Sequence, residues 1–121
     1  MDPLILAGGG VVPILEKEVM DPKMPNRRYA IGALGNIRHR SSIPVLTRLA
    51  KMESEEDFIR CDSLIAIGMI DDREGLRVLN SVKGSGLQCF PDATNESSYR
   101  QWLRLSAPER TFFEALLGWH S

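Results

Sequence analysis

The sequence predicts an all-α chain: an α-solenoid of about two and a half helical hairpins, closed at its C-terminal end by a helical pair acting as a cap. Three observations predict it. The chain repeats itself at a spacing of 33 residues, its apolar residues recur at helical intervals within each unit, and turn or capping residues break that pattern roughly every 12 positions. At 121 residues, with 43% hydrophobic and 26% charged residues, the chain has the make-up of one globular domain rather than a disordered, collagen-like or membrane-spanning one.

The repeat is read by laying Arg27 to Leu49 over Arg60 to Val82. Arg27, Ala33, Gly35, Ile37, Arg40, Val45 and Leu46 then meet identical residues, and Ile31, Leu34, Ile43 and Leu49 meet another aliphatic. The matches fall mostly on apolar or small residues while charged positions drift. What repeats is therefore a buried surface and not an active site.

The elements follow in order. Leu4 to Ala7 reads as the stub of a shortened first helix, and Val12-Pro13-Ile14-Leu15 resembles Ile43-Pro44-Val45-Leu46 as the start of a second one. Ala30, Ala33, Leu34 and Ile37 then follow i, i+3, i+4, i+7, the stripe of an amphipathic helix. Arg38 to Ser41 breaks it, and Ser41 or Ser42 is placed to cap the next helix, which carries Ile43, Leu46 and Leu49 on one side. One repeat later the pattern returns with Ser63, Ala66, Ile67 and Ile70, a break at Asp71-Asp72 with Asp72 as cap, and Leu76, Leu79 and Val82. Such a hairpin cannot hide its own stripe, so neighbours must stack. Gly35 and Gly68, near the end of each first helix, would each cost about 1 kcal/mol against alanine. Close approach of a neighbouring backbone, or an imminent helix end, is the expected compensation.

The stretches Arg27 to Ile37 with Ser42 to Leu46, and Asp57 to Arg60 through Ala66-Ile67-Gly68, resemble HEAT-like repeats, in particular the short variety named after phycobilisome lyases. The resemblance covers about Leu4 to Val82. It implies that Asp57 and Arg60 belong to a side-chain ladder tying adjacent repeats together, with Met24 standing where the preceding unit would carry its match to Asp57. It says little about function, because such repeats serve lyases, chaperones, scaffolds and a hydroxylase alike. The metal-dependent hydroxylase branch carries paired His-Glu dipeptides; this sequence has none.

Repeats are expected over residues 1–84, and 85–121 as a helical cap or docking segment of the same domain. Between Lys83 and Asn95 lies a turn-rich joint. Asn95 or Ser97 starts a helix with Tyr99, Trp102, Leu103 and Leu105; Ser106-Ala107-Pro108-Glu109 reads as a capping box before Phe112, Phe113, Leu116 and Leu117. Trp102, Phe112, Phe113 and Leu116 are the candidates for docking or self-association, because so short a stack has little apolar surface to receive them all.

Candidate chemistry is sparse. His39 lies in a basic turn and His120 at the terminus, neither with an evident orienting group. Cys61 and Cys89 are too few and too scattered for a disulfide scaffold or zinc site; Cys61 reads as a small buried hydrophobe and Cys89 as exposed. Gly8-Gly9-Gly10 lacks the strand, lysine and hydroxyl of a phosphate loop, and the acidic run Glu53 to Asp57 suits a helix start better than calcium. The apolar stretch from Pro3 to Leu15 lacks the basic start of a signal peptide and reads as mature protein. No metal and no cofactor is expected.

Function is therefore expected to be binding without catalysis, by a protein-interaction or scaffold module. Stacked second helices make a concave wall, on which Thr47, Arg48, Lys51, Arg77, Asn80 and Ser81 are the variable positions. The partner is another protein, with a homodimer as the secondary expectation, and the compartment is the reducing cytoplasm, without membrane attachment. Two rivals are a bilin-lyase-like enzyme or enzyme subunit and nucleic-acid binding along the edge of Arg27, Arg28, Arg38, His39, Arg40 and Arg48. The first lacks a motif. The second lacks net charge, since Met1 to Gly84 holds 12 basic and 12 acidic residues.

Overall fold

Each apolar stripe becomes one helix in the computed structural model, which describes residues 10–105 and 107–118. Seven α-helices lie among these: α1 (Val12–Val19), α2 (Arg27–Ile37), α3 (Ile43–Lys51), α4 (Asp57–Ile70), α5 (Asp72–Val82), α6 (Glu96–Arg104) and α7 (Ala107–Leu116), with a 3₁₀ turn Arg40–Ser42 leading into α3. No strand occurs among the described residues. The stub Leu4 to Ala7, Gly8, Gly9, Ser106 of the capping box and His120 lie outside them.

Helix α4 is the centre of the stack. It packs on α2 and α3 of the preceding hairpin and on α5 of its own, while α1 packs on α2. Ile31, Leu34, Leu46, Leu49, Leu64, Ile67 and Leu79 are fully buried and form one continuous core with Leu15 and Val19 of α1. The two units share this seam as the 33-residue register requires. Gly35 explains how closely they meet: a Cβ there would lie 3.1 Å from the Ala66 Cα and 3.2 Å from its methyl. Close backbone approach is thus the compensation for glycine inside α2.

The caps differ from expectation by a residue or a partner. Asp71, not Asp72, caps α5, its carboxylate accepting from the amides of Arg73 at 3.0 Å and Glu74 at 3.4 Å. Neither serine caps α3; the Ser42 hydroxyl donates instead to Glu16 of α1 at 3.1 Å, one tie between successive second helices. Asn95 caps α6 through its side-chain oxygen, which accepts from Ser97 and Ser98.

The ladder also runs differently. Arg27 and Arg60, identical in the repeat, are both buried and both donate backwards to a carbonyl at the end of the preceding second helix: Arg27 Nε to Val19 O at 2.7 Å, Arg60 Nε to Ala50 O at 3.0 Å. Each satisfies a carbonyl that the helix end leaves without an intrahelical donor. Arg27 also grips the Glu55 carboxylate with both terminal nitrogens, at 3.0 and 2.5 Å, and this bonding holds Glu55 below the usual carboxylate range. Asp57 instead accepts from the Gln88 amide at 3.4 Å.

Helix α6 closes the C-terminal end. Tyr99 is wholly buried and donates its hydroxyl to Leu64 O at 2.6 Å, and Trp102 is buried beside it. Burial pushes the Tyr99 hydroxyl well above its usual range, so it stays a donor.

Candidate functional site

The second helices α1, α3 and α5 carry the expected wall. Thr47 and Asn80 are equivalent in the repeat, as are Arg48 and Ser81, so the wall presents two rows in register. Arg48, Lys51, Arg77, Asn80 and Ser81 are exposed; Thr47 is half-buried, and its hydroxyl oxygen has no hydrogen-bond partner. Arg77 is held by Glu74 one turn earlier, at 2.9 and 2.6 Å, and Ser81 bonds back to Val78 O. Arg48 and Lys51 differ. Helix α3 contains no carboxylate, and neither of its cations, nor Lys17 on α1, has an ion-pair partner among the described residues. Sequence reasoning named Arg48 and Lys51 but passed over Lys17, which the 31-residue match of Val12-Pro13 to Ile43-Pro44 places level with Arg48.

On the opposite side, α7 lies along the first helices α2 and α4. A groove of about 440 Å³ runs between them, floored by small and apolar residues such as Gly32, Ala33, Ala66 and Met69. Charge closes it. Arg28 donates to both oxygens of Asp62, at 2.5 and 3.0 Å, and to Glu114 of α7 at 2.9 Å, while its guanidinium sits 5.3 Å from the centre of the Phe58 ring. Arg110 of α7 donates to the carbonyls of Trp102 and Leu105. Burial pushes the Asp62 and Glu114 carboxyls up and pulls the Arg110 guanidinium down; burial also pulls on Arg28, but its bonds to Asp62 and the nearby Glu114 outweigh that and raise it. Two cations face two carboxylates, so the cluster is neutral as a set. Such an arrangement fixes α7 against the first helices.

The docking candidates divide. Trp102 is 5% exposed and belongs to the core, a correction to its place among the surface candidates: α6 turns it inward with Tyr99, three residues away on the same helical face. Phe112, Phe113 and Leu116 face solvent.

The cysteines are also corrected. Cys89 is buried rather than exposed and is bonded to Cys61, with Cα atoms 5.9 Å apart. The loop after α5 folds back along α4, with Leu87, Cys89 and Ala93 turned inward, and brings together two residues 28 positions apart. Spacing alone carries no signal for that return. Disulfides persist in oxidising compartments, whereas the expectation of a reducing one rested on cysteine number. Among the described residues no group of histidine, cysteine and carboxylate side chains could hold a metal ion, and no helix is long and apolar enough to cross a membrane. His39 is exposed, its Nδ1 accepting from the Ser41 amide at 3.3 Å.

Compared with known proteins, the chain matches the family of HEAT repeats over residues 12–83. No curated protein and no solved structure matches it.

Proposed function

The chain belongs to the HEAT-repeat family, and we propose from this that it is a non-catalytic protein-binding module whose wall of second helices receives an acidic segment of another protein. Repeats of this family generally mediate protein–protein interaction and are typically without enzymatic activity of their own. One observation carries the acidic partner: the middle helix of the wall, α3, exposes Arg48 and Lys51 with no carboxylate of its own to neutralise them. Elsewhere Glu55 is engaged by Arg27, Asp62 by Arg28 and Asp71 by Arg40, and the carboxylates of the wall lie on its outer helices, Glu16 and Glu18 on α1 and Asp72 and Glu74 on α5. A partner's Asp or Glu supplies what α3 lacks, and Asn80 and Ser81 on α5 extend the surface with neutral hydrogen-bonding groups. In a reducing cytoplasm, the proposed compartment, the Cys61–Cys89 bridge opens to two thiols without touching the wall, which contains neither residue.

Immobilised protein is expected to retain partners from a nuclease-treated lysate at low salt and to release them as ionic strength rises. Arg48→Glu with Lys51→Glu should abolish the retention, while Arg104→Glu on α6 should leave it intact. Both cations of α3 lie in its last turn, where the helix dipole favours them, so each reversal costs up to about 1 kcal/mol of stability, and the protein stays folded for the comparison. Equal retention by the double variant would refute the reading. Loss of retention on nuclease treatment alone would transfer it to nucleic acid.

A further inference from the structure

Helix α7 is seated differently from the other six. Each of α1 to α6 buries at least two side chains, whereas among the described side chains of α7 none is buried. From Pro108 to Gly118 only Arg110 and Glu114 are less than exposed. Phe113 and Leu117, each three residues beyond one of them, are the most covered of its large apolar side chains, yet they remain 39% and 45% exposed. Charge, not apolar burial, seats the helix.

Those charges divide between the two sides. Arg28 and Asp62 both belong to the stack, on α2 and α4, and hold each other at 2.5 and 3.0 Å with the Phe58 ring beside the guanidinium. Arg110 and Glu114 both belong to α7, four residues apart. Each side is neutral by itself. When α7 leaves, Arg28 gives up its bond to Glu114 and keeps its two to Asp62, so no buried charge is stranded in the stack. Arg110 and Glu114 meanwhile regain water. Burial pushes the Glu114 carboxyl up and pulls the Arg110 guanidinium down, a cost of docking that the bonds to Arg28 and to the Trp102 and Leu105 carbonyls must offset.

From these observations we infer that α7 is a reversible strap over the groove between α2 and α4, undocking from the first helices while the stack of α1 to α6 stays folded. A helix of 10 residues holds little structure alone, so the strap unravels as it leaves. Closed, Arg110 and Glu114 form one side of the groove. Open, its floor of Gly32, Ala33, Ala66 and Met69 becomes an uncovered face of α2 and α4, with the Arg28–Asp62 pair at its edge. The strap thus governs access to the first-helix side of the stack, and the wall of second helices is untouched by its movement. Local opening of this kind belongs to segments with few buried apolar contacts, which is the condition α7 meets.

Hydrogen exchange of the full chain, followed by peptide mass spectrometry, is the test. With the strap open in about 0.1–10% of molecules, the amides of α7 should be protected about 10- to 1,000-fold. Those of α4 exchange only when the stack unfolds and should be protected about 10,000-fold or more. Glu114→Lys sets a cation against Arg28 and should speed exchange in α7 by about tenfold or more with α4 unchanged. Leu116→Lys adds a cation on the exposed side and should leave α7 within about twofold of the wild type. Amides of α7 as protected as those of α4 overturn the inference, because the helix would then open only with the whole stack. Amides of α7 without protection overturn it as well, since no closed state would exist. So does a Glu114→Lys chain in which α7 is unchanged, or in which α4 is sped by the same factor.

Discussion

Replacing Tyr99 by alanine is expected to cost about 3–5 kcal/mol, a third or more of the stability of an ordinary domain. The ring is wholly buried where α6 meets the end of the stack, and its hydroxyl is bonded to Leu64 O, so the substitution leaves a cavity and removes the main anchor of everything after the loop. Calorimetry should show a midpoint lower by roughly 10–20 °C. Tyr99→Phe keeps the ring and loses one hydrogen bond, which costs about 0.5–1.5 kcal/mol. A loss of only a degree or two for Tyr99→Ala would mean that α6 does not close the stack.

Gly75→Ala should be the most damaging single-methyl addition. A Cβ at Gly75 would lie 2.7 Å from the Cα and 3.1 Å from the nitrogen of Gly68, and would press on the Tyr99 hydroxyl as well. Alanine improves helix propensity by about 1 kcal/mol, so the sign depends on whether the neighbours can yield. Backbone cannot yield cheaply. The expected outcome is a net loss of about 1–3 kcal/mol or more, read from urea unfolding. At Gly68 the three atoms nearest an added Cβ are all side-chain ones, the Tyr99 hydroxyl and the two Leu103 methyls at 2.8 and 2.9 Å. In a Tyr99→Phe background the cost of Gly68→Ala should therefore fall, while that of Gly75→Ala should persist. Equal relief at both positions would contradict the contact between the α4 and α5 backbones.

These glycines mark where reasoning from the amino-acid sequence succeeds and where it stops. Gly35 and Gly68 stand out because the repeat sets one over the other, and a costly residue kept at both positions points to close approach. Gly75 faces Ser42 in the alignment, so the repeat does not flag it. The seam is legible for the same reason as Gly35: apolar spacing is a local property, and stacking follows once each stripe needs a cover. Contacts set by long-range return are not legible. The meeting of Cys61 with Cys89 and the two-pronged hold of Arg27 on Glu55 depend on where a loop travels, not on what surrounds each residue in the chain.

The candidate site shows the same division. Exposure of Arg48, Lys51, Asn80 and Ser81 follows from the helical period, since the opposite face is occupied by Leu46, Leu49, Leu79 and Val82. That α7 turns Arg110 and Glu114 toward the stack does not follow, because an amphipathic helix normally buries its apolar side. Here the half-buried Asp62 and its partner Arg28 compete for the inner face, and Glu114 with Arg110 answers that demand. Trp102 is misassigned among surface residues for a related reason. Composition shows that aromatic residues crowd the C-terminal segment, but only the placement of α6 decides which of them are covered.

The most direct measurement of the underlying architecture is a NOESY spectrum of the folded chain. Stacked hairpins in the 33-residue register require strong cross-peaks from the Gly35 Hα protons to the Hα and methyl protons of Ala66, whose carbons lie 3.1 and 3.2 Å from where a Gly35 Cβ would stand. Their absence in a spectrum that shows the intrahelical contacts of α2 and α4 would contradict the shared seam, and with it the wall on which binding is proposed.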